Sequence, residues 1–78
     1  MFKELDTVVL THDIEKNDLR SGDVGAIVHC YTDAEAYEVE FVTAEGKTVS
    51  VLTLSEEEIR SMSNREILHV REIVKQAA

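Results

Sequence analysis

The chain has 78 residues, with 16 acidic side chains against 8 basic ones and a formal net charge of −8. That length fits a single domain over 1–78 and leaves no room for a second, while an apolar share of 44% is too high for a disordered acidic tail. No apolar run approaches the roughly 20 residues that a membrane-spanning helix needs, and the start Met1-Phe2-Lys3-Glu4-Leu5-Asp6 lacks the basic and apolar regions of a secretory signal.

Residues 5–11, Leu-Asp-Thr-Val-Val-Leu-Thr, are rich in β-branched types and predict a first strand, with Val8 and Leu10 on one face and Thr7 and Val9 on the other. Residues 12–23 are polar, with Ile14 and Leu19 as their only apolar anchors, and predict a long loop pinned by those two side chains. A second strand is expected over 24–31. Strict alternation there puts Val24, Ala26, Val28 and Cys30 on one face and Ile27, His29 and Tyr31 on the other. After a turn at Thr32-Asp33-Ala34-Glu35, the third strand at 36–43 has the cleanest period of two, Tyr37, Val39 and Phe41 alternating with Glu38, Glu40 and Val42. Ala44-Glu45-Gly46-Lys47 predicts a tight hairpin into a fourth strand at 48–54, with Val49 and Val51 sharing a face. Gly22, Gly25 and Gly46 all fall where strands begin or turn, and are expected to be structural.

Two capping boxes follow. Ser55-Glu56-Glu57-Glu58 predicts either a short helical turn or the approach to a brief fifth strand near 59–62. Ser63-Asn64-Arg65-Glu66 predicts a helix to about Gln76, with Ile67, Val70 and Val74 forming one stripe. Such a helix is marginal alone, so its stripe is expected to pack on the sheet or on a second copy. The whole predicts a mainly β fold: a small SH3-like barrel of four or five antiparallel strands over about 4–62, followed by a C-terminal α-helix over about 64–76.

Gly22-Asp23-Val24-Gly25-Ala26-Ile27-Val28 joins a turn to a strand whose second glycine permits close backbone approach, and it resembles the glycine-led strand of KOW-type and other SH3-like barrels. Taken with Glu4-Leu5-Asp6-Thr7-Val8-Val9-Leu10 and Ala36-Tyr37-Glu38-Val39-Glu40-Phe41, it resembles a family of small bacterial proteins, domain of unknown function 4926, over roughly the first sixty residues. The resemblance implies an SH3-like fold and no reaction, cofactor or catalytic residue. The chain departs from the family pattern in the loop Asp13–Leu19, which lacks proline and glycine, and at Ser55, where the family often has proline.

No constellation points to chemistry. His12, His29 and His69 share no zinc-ligand spacing. His12 and Asp13 are expected to be loop neighbours without function, and His29 a partly exposed strand residue. Cys30 is the only cysteine; it excludes an internal disulfide, suits a reducing cytoplasmic setting, and is expected to act as a small core hydrophobe rather than a nucleophile. Asp33, Glu35, Glu38 and Glu40 form the densest carboxylate group, but no EF-hand order accompanies them. No catalytic residue, metal or cofactor is expected, and the chain is not expected to be an enzyme.

Residues 1–50 hold 11 acidic and 4 basic side chains, and residues 51–78 hold 5 and 4. A negative sheet domain repels nucleic acid and anionic membrane surfaces and suits a basic protein partner. The expected function is therefore a non-catalytic acidic interaction or accessory module, antitoxin-like in character, using the face of Asp33, Glu35, Glu38 and Glu40. Homodimerisation through Ile67, Val70 and Val74 is a further expectation. The alternative is a KOW-like barrel associated with nucleic acid or the ribosome, which rests on fold analogy alone.

Overall fold

The computed structural model describes residues 2–33 and 35–73. Five strands form one antiparallel sheet: β1 (Thr7–Leu10), β2 (Val24–Tyr31), β3 (Ala36–Val42), β4 (Thr48–Ser55) and β5 (Ile59–Ser61). Their order across the sheet is β4-β3-β2-β1-β5, a meander whose last strand returns to the free side of the first. That return curls the sheet. Laid flat, its edges would stand about 19 Å apart at about 4.8 Å per strand. Yet Ser55 and Ile59 are joined by the 3-10 turn Glu56–Glu58 alone, a path that reaches at most about 14 Å. Both readings of 55–62 thus hold in sequence: a capped turn, then a fifth strand.

The apolar side chains of the concave face build the core. β3 contributes Tyr37, Val39 and Phe41, all buried, as its alternation predicts. Val8 and Leu10 join them from β1, Ile27 from β2, Leu54 from β4 and Ile59 from β5. The loop 11–23 closes the open end. A bridge between Ile14 and Leu19 folds it back on itself, and Leu19 enters the core. Gly25 is buried where β2 crosses β3, and a Cβ there would lie only 2.7 Å from Val39 Cγ1. Gly22 has a φ of 97°, the left-handed turn conformation open to glycine.

Two β-bulges revise the expected faces. Between Ile27 and His29 the β2–β3 register shifts by one residue at Val28, so Ile27 points inward while His29 and Tyr31 point outward. Cys30 returns to the inner side and packs half-buried against the core. On β4 the register shifts beside Val42. Val49 then packs on the core while Val51 is 46% exposed, so these two valines do not share a face. A period-two pattern cannot register such an insertion, because one extra residue reverses every later side chain.

The largest correction concerns the C-terminus. Among the described residues there is no α-helix: the five antiparallel strands are present, but the C-terminal helix expected over about 64–76 is replaced, as far as residue 73, by an irregular segment, residues 62–73. Half of the capping box forms. Glu66 Oε1 accepts the Ser63 N–H at 2.7 Å, and the Arg65 N–H donates to Ser63 Oγ at 3.1 Å. After the turn at Asn64–Arg65 the helix does not propagate. Ile67, Val70 and Ile73 are β-branched, which lowers helix propensity, and a helix of this length cannot sustain itself without packing. Ion pairs at Glu66 and Arg71 instead hold the segment on the sheet. Ile67 and Val70 are 89% and 90% exposed, so neither packs on the sheet. Val74 lies outside the described residues.

Candidate interaction site

The loop before β2 builds an acidic pocket from local hydrogen bonds. The Asp23 carboxylate accepts the Arg20 N–H at 2.8 Å, and the Asp23 N–H donates to the Arg20 carbonyl at 2.9 Å, which closes a tight turn. Asp18, in the left-handed conformation at φ 56°, ends the 3-10 turn Glu15–Asn17, and its carbonyl accepts a hydrogen bond from Arg71. Asp13 Oδ1 accepts the Ser21 N–H at 2.9 Å and braces the same loop.

Arg71, 48 residues downstream, enters this pocket. Its Nε and Nη2 donate to the two Asp23 carboxylate oxygens at 2.9 and 2.6 Å, and Nη2 also donates to the Asp18 carbonyl at 2.8 Å. This is a fork-on-fork contact that a lysine could not reproduce. Burial alone would raise the Asp23 pKa, but hydrogen bonds from Arg71 and from the Arg20 N–H, with the charges of both arginines, bring it below the ordinary carboxylate value. The Arg71 guanidinium is raised, chiefly by its bond to Asp23 and further by the charges of Asp23, Asp18 and Asp13.

A second ion pair fixes the start of the segment. Arg60 of β5 donates to Glu66 Oε1 and Oε2 at 3.0 and 2.7 Å. With the Ser63 N–H, it holds the Glu66 carboxyl at a pKa of about 2. Between these two anchors the segment spans an open groove of about 870 Å³, with Val9, Val24 and Val42 on the sheet side and Met62, Ile67 and Val70 on the segment side. Val9, on the convex face of β1, is buried there rather than in the core.

The four acidic residues expected to form a docking face are only partly brought together. Glu38 and Glu40 lie on the same outer face of β3. Glu38 Oε1 accepts Tyr31 OH at 3.1 Å and Thr53 Oγ1 at 2.8 Å, and Glu40 Oε2 accepts Thr48 Oγ1 at 2.7 Å. The Tyr31 hydroxyl is raised in pKa by its bond to Glu38 and by that charge. Asp33 and Glu35 sit apart at the β2–β3 turn. His12 does not pair with the Asp13 carboxylate. Its Nδ1 is 2.9 Å from the Asp13 carbonyl and its Nε2 is 3.1 Å from a Glu58 carboxylate oxygen. Glu58 is lowered in pKa, first by the Ser55 N–H, against opposing burial, with His12 contributing. His29 stacks edge-on against Tyr31 at 4.6 Å. No group of three or more potential metal ligands exists among the described residues.

The Asp23–Arg71 contact is the feature that sequence reasoning missed. Asp23 was legible as a turn former, but nothing in the spacing links it to Arg71. Sheet and loops together define a class: a small acidic antiparallel β domain whose strand loop grips a guanidinium. Residues 4–61 match the family model described as Domain of unknown function (DUF4926), and the chain belongs to that family. No curated protein and no solved structure matches it.

Proposed function

We propose that this protein is a non-catalytic, acidic protein–protein interaction module, an accessory or antitoxin-like subunit for a basic partner in a reducing cytoplasm. The observation that carries the reading is the Asp23 pocket. There a carboxylate and a carbonyl are already arranged to take a guanidinium, with side chains only 17% and 22% exposed on the two partners. Charge on the remaining surface steers a cationic partner toward the sheet, and a part-buried bidentate contact selects for arginine. Arg71 then occupies, in the free protein, the position that a partner's arginine takes in the complex.

The test is a peptide titration. A synthetic peptide reproducing Ile67–Ile73 is added to the Arg71→Ala variant, whose pocket is vacant, and binding is followed by calorimetry. Binding to that variant, weaker binding to the wild type, and loss of binding on adding Asp23→Asn are the expected results. A peptide that binds none of the three, or binds regardless of Asp23, refutes the reading. The nucleic-acid alternative has less support: Arg60 and Arg71 are both engaged by carboxylates, and the sheet region offers few other cations.

A further inference from the structure

The sheet has two edges, and they differ in kind. β5 is three residues long and carries Arg60, features that discourage another strand from adding to it. β4 runs eight residues, Thr48 to Ser55, without a charge or a proline, although 31% of the chain is charged. Its one ladder is with β3. Among the described residues, its backbone makes no bond on the opposite side except the Ser55 N–H, which donates to Glu58 at 2.8 Å. Asn17 reaches β4 only at the Ser50 hydroxyl, at 3.4 Å. An outward Ser55 N–H fixes the alternation, so the main-chain groups of Val51 and Thr53 point outward too. From Ser50 to Ser55, past the bulge at Val49, such a row is a template for pairing.

We propose that β4 is a homodimerisation edge on which a second copy of this chain lays its own β4 antiparallel, giving one continuous sheet through both copies. Charge placement selects a second copy in that orientation. Lys47 precedes the strand and Glu57 lies just beyond its end. A two-fold pairing centred on Leu52 sets Lys47 of each copy toward Glu57 of the other, whereas a parallel approach sets like charges together. The same register places Val51 opposite the second copy's Thr53 on the outer face and Leu52 against Leu52 on the inner face, so polar and apolar sides stay matched. A two-fold contact is closed, and the guarded β5 edge leaves no site for growth into fibres. The net charge of −8 on each copy opposes association and keeps the dimer concentration-dependent.

Sedimentation equilibrium of the full chain over a broad concentration range tests this, and a monomer–dimer equilibrium is expected. Val51→Lys changes an exposed side chain, so its thermal unfolding should match the wild type while its dimer dissociates. Lys47→Glu should raise the dissociation constant about tenfold, because the two-fold axis replaces two attractive cross-strand pairs with two repulsive ones. Adding Glu57→Lys to that variant should restore the wild-type value. A wild-type protein that stays monomeric at millimolar concentration overturns the proposal. So does a dimer indifferent to Val51→Lys, or one abolished instead by Val70→Glu, which would place the contact on the C-terminal segment.

Discussion

Gly25→Ala tests how tightly β2 and β3 are pressed together. The added Cβ would stand 2.7 Å from Val39 Cγ1, 3.0 Å from Phe41 Cε1 and 3.1 Å from the Glu40 carbonyl oxygen. Val39 is fully buried and Phe41 is 3% exposed, and a β-branched neighbour has little rotameric freedom with which to yield. The Gly25 backbone lies outside the left-handed region, so alanine adds no backbone strain and restricts the unfolded chain, a gain of about 0.4–1 kcal/mol. Overpacking costs about 1–3 kcal/mol, and with the nearest contact this short, it outweighs the gain. A net loss of about 1–2 kcal/mol is expected, out of a total of about 4–12 kcal/mol for a domain of this length. At about 4–8 °C per kcal/mol, thermal unfolding followed by circular dichroism should show a drop of about 5–15 °C. Val39→Ala removes the obstructing methyl group. The double variant should therefore be more stable than the sum of the single effects by about 1 kcal/mol. A Gly25→Ala protein melting with the wild type, or strict additivity in the double variant, would refute the packing argument.

Arg71→Ala should cost about 1 kcal/mol, between the values of exposed and buried pairs, and should raise amide exchange across 62–73 while leaving β1–β4 unchanged. The acid response follows from Asp23 and Glu66, both held below their ordinary values of 3.8 and 4.5. A depressed carboxylate contributes stability that is complete above its unfolded pKa and is lost as pH falls through its folded pKa. Amide shifts of 62–73 should thus hold steady down to pH 4.5 and change as the pH approaches 2; release of the segment above pH 5 would contradict this. Glu58→Ala removes the reciprocal cap at Ser55 and should cost about 1 kcal/mol, seen in denaturant unfolding. Val70→Glu, at a side chain 90% exposed, should leave the unfolding midpoint within about 0.5 kcal/mol of the wild type; a larger loss would mean that the valine is packed after all.

The sheet was legible because its pattern and its turn chemistry agree. Tyr37, Val39 and Phe41 alternate without interruption, and the hairpin at 44–47 leaves one way to fold β4 back on β3. The same rule misassigned Ile27 and Val51, since each bulge inserts a residue that period-two reasoning has no means of counting. Ser63 and Glu66 were legible as a capping box, and Glu66 does accept the Ser63 N–H. What could not be read was the competition beyond them: Arg60 claims Glu66, and Arg71 finds Asp23 across 48 residues, contacts that exist only once the sheet is assembled. The candidate site was obscured for the same reason. Carboxylate density pointed to Glu38 and Glu40, while Asp23, one of two carboxylates with an arginine partner, sat in a turn.

That contrast separates charge from recognition. Glu38 and Glu40 accept hydrogen bonds from neutral hydroxyls rather than from a cation, so they contribute to the long-range field, yet their lone pairs are partly committed inside the sheet. Under the proposed function, such groups would steer a cationic partner in a salt-dependent way. Asp23 is the reverse case: its charge is offset by Arg71 and adds little at long range, but its geometry is fixed by the Arg20 turn before any ligand arrives. Preorganised and part-buried, it would, under the proposed function, discriminate by shape as well as sign. On the function proposed above, a module built this way would attract cations broadly over its sheet and accept a guanidinium closely in its loop.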